Sequence, residues 1–449
     1  MKAEERKKDQ REFRADVAVV GGGTAGLAAA VAAARAGAET YLIEKDAFLG
    51  GEATGGLVSA FDVGPDVKGS PVIRGILEEI RERLKTYDAI RGVKKGGLPF
   101  DPEMMRFVAF DLCEDAGVRL LLHSLVFEVK TRNESVEELH IYSRGGPRRL
   151  IAQTYVDASG DGDIAALAGA DFQAGRATDG LQLPMTLLFQ LGNINGERVQ
   201  SADWEKLQEV FEKELVPKLF EKEKLTKVFG KEVKILVAYR RRLGRISFKR
   251  VGQHGGLFGM GLIHVAGLDS LDVEDLTRAE IGGRRAALAI HQFFRKHVPG
   301  CERCIIARTA DHVGVRETRR IIGDYILTRE DVLYGRKFED SIGCRTSWID
   351  LHDPEGEGVL HELVVKDDWF EIPLRAIVVK GYDNLLVAGR CISATHEAQG
   401  AIRGMGSCMV TGQGAGVAAA LAARQNISVG KLDVNLLQRE LRAQGVQLD

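Results

Sequence analysis

The chain has 449 residues, of which 45% are hydrophobic and 28% charged, and its formal net charge is −2. This length exceeds one ordinary hydrophobic core, so we expect two domains, and the balanced composition excludes a disordered chain or a strongly basic nucleic-acid binder. The longest basic run, Arg240–Arg242, is interpreted as an exposed helix face or the rim of a site for acidic substrates, with a phosphate or RNA patch as the alternative.

The amino-terminal residues Met1 to Arg14 are charged and lack the apolar stretch of a secretory signal, so they are interpreted as a loose tail. No stretch approaches about 18 uncharged apolar residues, which argues against a membrane span. Six cysteines are too sparse for a disulfide framework, and the Cys301–Cys304 pair leaves a catalytic dithiol as a minor alternative. We expect a soluble, cytoplasmic protein.

A dinucleotide-binding pattern opens the ordered part of the chain. Asp16–Val20 predicts a strand, a glycine-rich turn follows, and an Ala-rich helix is expected from Leu27 to about Ala36. Gly21 permits the tight turn, Gly23 lets the backbone approach a pyrophosphate, and Gly26 allows close helix–strand packing. The helix amino terminus then faces the phosphates.

The second predicted strand runs from Glu39 to Glu44, an acid 23 positions (44 − 21) after Gly21. A carboxylate there accepts hydrogen bonds from ribose hydroxyls and repels a 2′-phosphate, which disfavours NADP. Strand, turn, helix and acid in register predict a dinucleotide site, whereas a plain glycine-rich turn is the simpler alternative.

Three further segments carry a family resemblance: Asp46–Gly56, Tyr155–Asp163 and Asp383–Gly406. With the opening motif, they make the chain similar, over about residues 15 to 435, to the FAD-dependent oxidoreductase family related to the succinate dehydrogenase and fumarate reductase flavoproteins. That family lies within the wider glutathione reductase and p-hydroxybenzoate hydroxylase fold. The resemblance implies FAD as cofactor and a helix that begins near Gly400 with its amino terminus at flavin N1 and O2, where it stabilises reduced flavin.

The predicted cofactor contacts combine the opening motif with positions implied by the resemblance. They are Gly21, Gly23, Thr24, Ala25, Gly26, Glu44, Lys45, Gly50, Gly51, Glu52, Ala53, Thr54, Val126, Ala158, Ser159, Gly160, Asp163, Gly389, Arg390, Gly400, Ala401, Ile402 and Arg403. The glycine loop after Glu44 has no cysteine pair and the first histidine is His123, so neither a disulfide reductase nor a histidyl-flavin bond is expected, and FAD should be noncovalent. Thr411–Gly416 is interpreted as close helix packing rather than a second nucleotide loop.

The middle of the chain is expected to cap the flavin. Leu183–Gln190 predicts a strand, Trp204–Lys227 an exposed helix, and Leu271–His297 leads into a helix with Thr277 and Glu280 as a capping box. The runs Asp311–Tyr325, Asp340–Gly343 and Asp350–His352 resemble family motifs. The arginines of the first run could bind a substrate carboxylate or, alternatively, join the two domains through ion pairs. The candidate catalytic residues, which we expect to line the flavin face, are Arg316, Arg319, His352, His396 and Arg403.

The predicted fold class is α/β, a Rossmann-like FAD-binding domain (residues 1–175 and 371–449) with an inserted α+β substrate or cap domain (residues 176–370). The predicted function is hydride transfer between flavin N5 and a small organic substrate, for instance an unsaturated carboxylate. Its electron donor or acceptor is unspecified, and no nucleic-acid partner, membrane partner or metal is expected. A flavoprotein of RNA modification and a noncatalytic escort protein are the alternatives.

Overall fold

The computed structural model describes residues 12–67, 71–90, 97–215, 234–237, 249–250, 258–354, 359–363 and 368–448. The Arg240–Arg242 run and the predicted helix beyond Leu215 lie outside these residues. The helices are α1 (Thr24–Arg35), α2 (Ile76–Thr86), α3 (Pro102–Ala116), α4 (Asp163–Ala168), α5 (Gly196–Gln200), α6 (Trp204–Glu214), α7 (Val273–His297), α8 (Arg329–Leu333), α9 (His396–Ile402), α10 (Met405–Gln425) and α11 (Val434–Ala443).

The strands fall into two larger sheets and several two-stranded pairs. They are β1 (Glu12–Val20), β2 (Thr40–Ile43), β3 (Ala60–Asp62), β4 (Gly97–Pro99), β5 (Arg119–Leu121), β6 (Leu125–Arg132), β7 (Ser135–Ser143), β8 (Gly146–Asp157), β9 (Phe172–Ala174), β10 (Met185–Gly192), β11 (Lys234–Val237), β12 (Lys249–Arg250), β13 (Phe258–Ala266), β14 (Ile305–Thr309), β15 (Arg319–Ile321), β16 (Ser341–Arg345), β17 (Trp348–His352), β18 (Val359–Leu363), β19 (Phe370–Pro373) and β20 (Leu385–Val387).

The main sheet has seven strands in the order β5-β2-β1-β8-β7-β6, with β20 beside β8. Strands β1 and β20 both run parallel to β8, and Val20 and Val387 each pair with Asp157. Three segments that are distant in sequence therefore end at one edge of the sheet. The carboxyl edge of an open α/β sheet is where such folds bind ligands.

Helices α1 and α10 pack unusually closely against each other. A Cβ added at Gly412 would lie 2.1 Å from the carbonyl oxygen of Ala25, and one at Gly416 would lie 2.1 Å from that of Ala29. Only glycine permits this approach, so the prediction that Thr411–Gly416 serves close packing is confirmed. The contact joins the two ends of the chain into one core.

The second sheet is antiparallel, in the order β11-β13-β10-β14 with β12 beside β13, and helix α7 packs on it. Its hydrophobic core runs from Met185 to Val313, whereas Ile321, Ile342 and Leu351 belong to the core of the main sheet. The 176–370 division stays a prediction, and this packing favours an earlier return to the main core, near residue 317.

Some local predictions were wrong. The tail ends before Arg14, because Glu12 already pairs with Arg149 at the start of β1. Helix α7 is capped by Asp272, whose side chain accepts from the Asp275 amide at 2.8 Å, and Thr277 lies inside the helix. Asp272 precedes Thr277 and satisfies the first free amides, which leaves the predicted capping box no role.

Within the part of the chain that the structure describes, no helix is both long enough and apolar enough to cross a membrane.

Candidate functional site at the edge of the main sheet

The turn between β1 and α1 leaves space beside one glycine. Gly21 has a φ of +98°, and a Cβ there would lie 2.4 Å from the carbonyl oxygen of Ala158, while one at Gly26 would lie 1.7 Å from that of Gly21. A Cβ at Gly23 would meet nothing within 4 Å, although its φ of −64° suits any residue. Neither protein contact nor backbone strain therefore requires glycine at position 23. The open space beside Gly23 is what a cofactor that approaches the backbone would need.

Glu44 lies at the end of β2 and is almost fully buried. Its carboxylate accepts from the Gly22 amide and, at 2.8 Å, from the Asp46 amide. A carboxylate can accept more than two hydrogen bonds, so Glu44 can still accept from hydroxyl donors such as those of a ribose. The neighbouring Lys45 is paired with Asp46 at 2.7 Å and is mostly exposed.

The second glycine loop lies directly beside the first. Gly50 forms a bridge with Gly23, and its amide donates to the Gly22 carbonyl at 2.7 Å. A short 3₁₀ turn, Gly51–Ala53, follows, and the buried Thr54 hydroxyl donates to the Leu49 carbonyl at 2.6 Å. The two predicted phosphate-side loops are thus one continuous surface.

The loop after β8 is organised by Asp157 and Asp161. Buried Asp157 accepts from the Ser159 amide and hydroxyl and from the Ala165 amide, and burial raises its pKa to about 6. Asp161 accepts from Arg390 at 2.6 Å. The Arg390 guanidinium also donates to the carbonyls of Gly160 (2.8 Å) and Val315 (2.6 Å). It therefore joins this loop to the segment between β14 and β15 (residues 310–318), which we call the cap connection.

The carboxyl-terminal segment reaches the same edge. Gly389, with a φ of +89°, follows β20, and a Cβ there would lie 3.0 Å from the Cβ of Ala25. Its amide donates to the Thr411 hydroxyl of α10 at 2.9 Å. The amino-terminal turn and the carboxyl-terminal helix therefore converge.

The prediction of a helix start near Gly400 was wrong. Helix α9 begins at His396, capped by Thr395, and ends at Ile402, and the long helix α10 begins only at Met405. Gly400, Ala401 and Ile402 are buried within α9, where Gly400 packs on Leu351. The break falls at Arg403 and Gly404, so the free amides belong to the first turn of α10.

Other predicted cofactor positions lie farther along these elements. Val126 is buried on β6. Asp163 begins α4 and pairs with Arg319 at 3.0 Å. Their roles stay predictions.

Glu52 and His312 pair between the glycine loop and the cap connection, with 3.6 Å between Oε1 and Nε2. Burial opposes ionisation of Glu52, but the His312 contact outweighs it and lowers the pKa of Glu52. In the same way burial disfavours charged His312, and Glu52 outweighs it, so the pKa of His312 is raised. A Cβ at Gly314 would lie 3.0 Å from a Glu52 carboxylate oxygen, which shows how tightly the cap connection closes on this loop.

Five polar side chains form a continuous chain of contacts between the cap sheet and α9: Arg316, His264, His352, Asp350 and Arg403. Arg316 Nη2 lies 3.3 Å from His264 Nε2, and the rings of His264 and His352 meet edge to face at 4.7 Å. His352 Nε2 lies 3.5 Å from Asp350 Oδ2, which accepts from Arg403 at 2.9 Å. We call this set the polar chain.

Both histidines of the polar chain are held neutral. Burial and then the Arg316 charge lower the pKa of His352 to about 4, although Asp350 opposes this. Burial, Arg316 and His352 likewise place the pKa of His264 well below its usual value. The polar chain contains two guanidiniums and one carboxylate, and the Glu52 carboxylate also acts on Arg316.

Several buried polar atoms beside the polar chain lack a hydrogen-bond partner among the described residues. They are the Thr186 hydroxyl, His352 Nδ1, Arg403 Nε and Gln399 Oε1. Thr186 pairs directly opposite His264 across β10 and β13. Buried polar groups without partners are costly, so their grouping indicates a place that binds a polar ligand.

The structure brings together three of the five predicted catalytic residues, Arg316, His352 and Arg403. His396 instead lies in a buried pair with Glu317, at 2.9 Å, and Arg320 also contacts that carboxylate. Arg319 donates to the Asp161 carbonyl and to the Asp163 carboxylate, so its described contacts are with the loop after β8 and not with the polar chain.

The predicted catalytic residues did not include His264, Asp350 and His312. His312 and Asp350 lie within segments that resemble family motifs, but no local motif marks His264, which could be found only through its partners. Asp350 does lie two residues before His352 on β17, a spacing that puts both side chains on one face of a strand.

Parallel-sheet topology, the open space at Gly23 and the buried acid at the end of β2 define a dinucleotide-binding class of protein. The profile of FAD dependent oxidoreductases matches residues 16–441. The chain belongs to this family and is an FAD-dependent enzyme.

The solved structures that resemble this chain are distant from it. A geranylgeranyl bacteriochlorophyll reductase-like protein of Thermoplasma acidophilum is 13% identical, with 96% of this chain and 83% of that chain covered and a TM-score of 0.47. The flavin-dependent brominase Bmp2 is 12% identical, with 96% and 83% covered and a TM-score of 0.45. THI4 of Thermovibrio ammonificans is 21% identical, with 39% and 70% covered and a TM-score of 0.29. The comparison with curated proteins finds no match.

Proposed function

We propose that this FAD-dependent oxidoreductase exchanges hydride with a small organic carboxylate held at the polar chain, interconverting a saturated acid and its unsaturated counterpart. The observation that carries the proposal is the polar chain itself, in which Arg316 and Arg403 lie at the two ends of a neutral histidine pair. The proposal keeps the relation to the succinate dehydrogenase and fumarate reductase flavoproteins as an expectation.

Bound noncovalently at the sheet edge, FAD would supply a two-electron acceptor or donor for hydride. The residues that would hold it are Gly21 to Gly26, Glu44, the Gly50–Thr54 loop and Gly389. The open cradle at Gly23 and the remaining acceptor capacity of Glu44 fit the phosphates and ribose of such a cofactor.

The arginines of the polar chain would bind and orient the substrate carboxylate. Arg403 donates two hydrogen bonds to Asp350 through Nη2 and keeps its Nε buried without a described acceptor. A carboxylate is the ligand that a guanidinium edge matches best, and binding it there would satisfy this donor. Asp350 fixes the orientation of Arg403 for that contact.

His352 is the residue best suited to move a proton. With a pKa of about 4 it is neutral near pH 7, and a neutral imidazole accepts a proton. We therefore propose that it takes the proton from the substrate carbon next to the one that gives up hydride.

The test is anaerobic reduction of the purified holoenzyme by a panel of saturated carboxylic acids, each paired with its methyl ester. The proposal expects bleaching of the flavin absorbance by at least one acid and not by its ester. Arg403→Lys should raise the required concentration, and Arg319→Lys, which changes an arginine away from the polar chain, should not. Equal reduction by acid and ester would contradict a carboxylate-binding role.

The alternatives of RNA modification and of an escort protein gain no specific support. The basic run behind the first lies outside the described residues.

A further inference from the structure

Gln399 is a buried polar side chain whose oxygen has no partner. It lies in α9, four residues before Arg403, so the two side chains leave the helix on the same face. Its Nε2 donates to the Arg316 carbonyl at 3.2 Å, whereas its Oε1 has no hydrogen-bond partner in the part of the chain that the structure describes. Gln399 is 0% exposed, so bulk water does not reach this oxygen.

The Arg316 carbonyl determines which end of the Gln399 amide is the oxygen. A carbonyl only accepts hydrogen bonds, so the amide nitrogen must face it, and exchanging the two ends would place two oxygens against each other. Oε1 is therefore a buried acceptor that needs a donor. Leaving such an acceptor unpaired is costly.

A substrate carboxylate alone would not satisfy this oxygen. The carboxylate has only acceptors, and it matches the free Nε of Arg403. Nδ1 of His352 is a second acceptor, because Nε2 of the neutral ring faces Asp350, and the proton transfer proposed above uses it. Gln399 Oε1 is the acceptor for which the proposed reaction supplies no donor.

The donor that fits this place is a neutral hydroxyl rather than an ammonium group. Burial and the Arg316 charge lower the pKa of both His352 and His264, so a further positive charge beside them is disfavoured. Gln399 contacts the Arg316 backbone and lies in the same surroundings. A hydroxyl donates one hydrogen bond and brings no charge.

We propose that the acid held at the polar chain is a hydroxy acid, and that Gln399 Oε1 accepts from its hydroxyl while Arg403 binds its carboxylate. This inference rests on the proposed function and narrows its substrate from any small carboxylate to one that carries a hydroxyl near the carboxylate. Side chains four residues apart on a helix begin about 5–6 Å from each other, so the hydroxyl belongs within about two carbons of the carboxylate. Gln399 is thus a specificity-determining residue.

The test uses short 2-hydroxy and 3-hydroxy acids, each compared with its methyl ester and with the acids in which hydrogen or fluorine replaces the hydroxyl. Fluorine is close to a hydroxyl in size and cannot donate. The rise of the thermal midpoint of the purified holoenzyme with ligand concentration gives each dissociation constant. At least one hydroxy acid should bind about tenfold or more tightly than its fluorine and hydrogen relatives, because those leave Oε1 unpaired.

Gln399→Met removes the acceptor and keeps the length of the side chain. The preference for hydroxyl over fluorine should fall to within about twofold, whereas FAD content and the preference for acid over ester should not change.

Gln444→Met is the matched control. Nε2 of Gln444 also donates to a carbonyl, that of Ala32 at 3.1 Å, and its buried Oε1 has no partner among the described residues. Its described contacts are with α1, α10 and α11 and not with the polar chain, so this variant should keep the full preference for hydroxyl.

The inference and the proposed function fail in different ways. Equal binding of hydroxy acids and their fluorine relatives by the parent chain overturns the inference, and a buried water molecule then satisfies Oε1. Equal binding of acids and esters contradicts the proposed function instead. A preference for hydroxyl that survives Gln399→Met, or loss of FAD from that variant in a folded state, assigns the oxygen to another partner and also overturns the inference. If Gln399→Met does not fold, the comparison of hydroxyl with fluorine in the parent chain decides.

Discussion

His352 gives the sharpest electrostatic prediction. Its pKa of about 4, against an ordinary 6.5, corresponds to about 3 kcal/mol at ~1.4 kcal/mol per pH unit. The side chain is 15% exposed, so solvent screening reduces this only modestly. Between pH 6.5 and 4 the unfolded chain binds a proton at this imidazole and the folded chain does not. The stability that His352 contributes is therefore complete above pH 6.5 and is lost as the pH falls toward 4.

The replacement His352→Asn should remove this dependence. Thermal midpoints of the parent chain and the variant should converge by about 3 °C between pH 7 and pH 4, since a chain of this length unfolds with an entropy near 0.9 kcal/mol/K. NMR of chains labelled in the histidine rings reads the pKa directly, and the variant assigns the His352 signal. Arg316→Gln should move that pKa back up, because the Arg316 charge is a main cause of its decrease. A His352 signal that titrates between pH 6 and 7, or that ignores Arg316→Gln, would refute the reasoning.

Three further changes test separate parts of the structure. Gly412→Val should lower the thermal midpoint strongly and release FAD, because its Cβ would lie 2.1 Å from the Ala25 carbonyl; an unchanged midpoint would contradict the α1–α10 packing. Arg403→Ala should reduce turnover of the acid found in the substrate panel by about 100-fold or more while the circular dichroism spectrum is unchanged, and equal activity would remove it from the site. Asp272→Ala should lower the free energy of chemical unfolding of the cap domain by about 1 kcal/mol, because the amino terminus of α7 loses its capping side chain. No change would show that water serves that helix end equally well.

The parts of the fold that sequence predicts are those whose physical cause is local. The turn from Gly21 to Gly26 and the acid at Glu44 follow from contiguous residues, and the Gly412 and Gly416 spacing marks a helix face that approaches another backbone. The profile match over residues 16–441 confirms the flavoprotein class that these motifs predicted.

The site could be predicted only in part, because it depends on pairs that are distant in sequence. Arg316 and His264 are 52 residues apart, and neither has a neighbour pattern that reveals the other. His264 on β13 and His352 on β17 belong to different sheets, and only the folded chain brings their rings to 4.7 Å. In the sequence, an isolated histidine in an apolar strand looks like an ordinary core residue.

The misplaced helix start at Gly400 has a comparable cause. Alanine and glycine occur on both sides of the break between α9 and α10, so composition does not show where α9 ends. It ends at Ile402, and Arg403 at its carboxyl end contacts Asp350. Arg316 and Arg319 likewise belong to one sequence motif, yet their side chains have different partners. Arg319 pairs with Asp163, whereas Arg316 contacts His264.

The central claim, that FAD binds at the turn between β1 and α1, is tested most directly by Gly23→Val. A Cβ at this position meets no protein atom within 4 Å and Gly23 has an ordinary φ, so we expect the apoprotein to fold with an unchanged circular dichroism spectrum and thermal midpoint. FAD titrated into that apoprotein should bind at least about 100-fold more weakly than to the parent, a loss of ~3 kcal/mol. Undiminished FAD affinity in a correctly folded Gly23→Val chain would contradict the account.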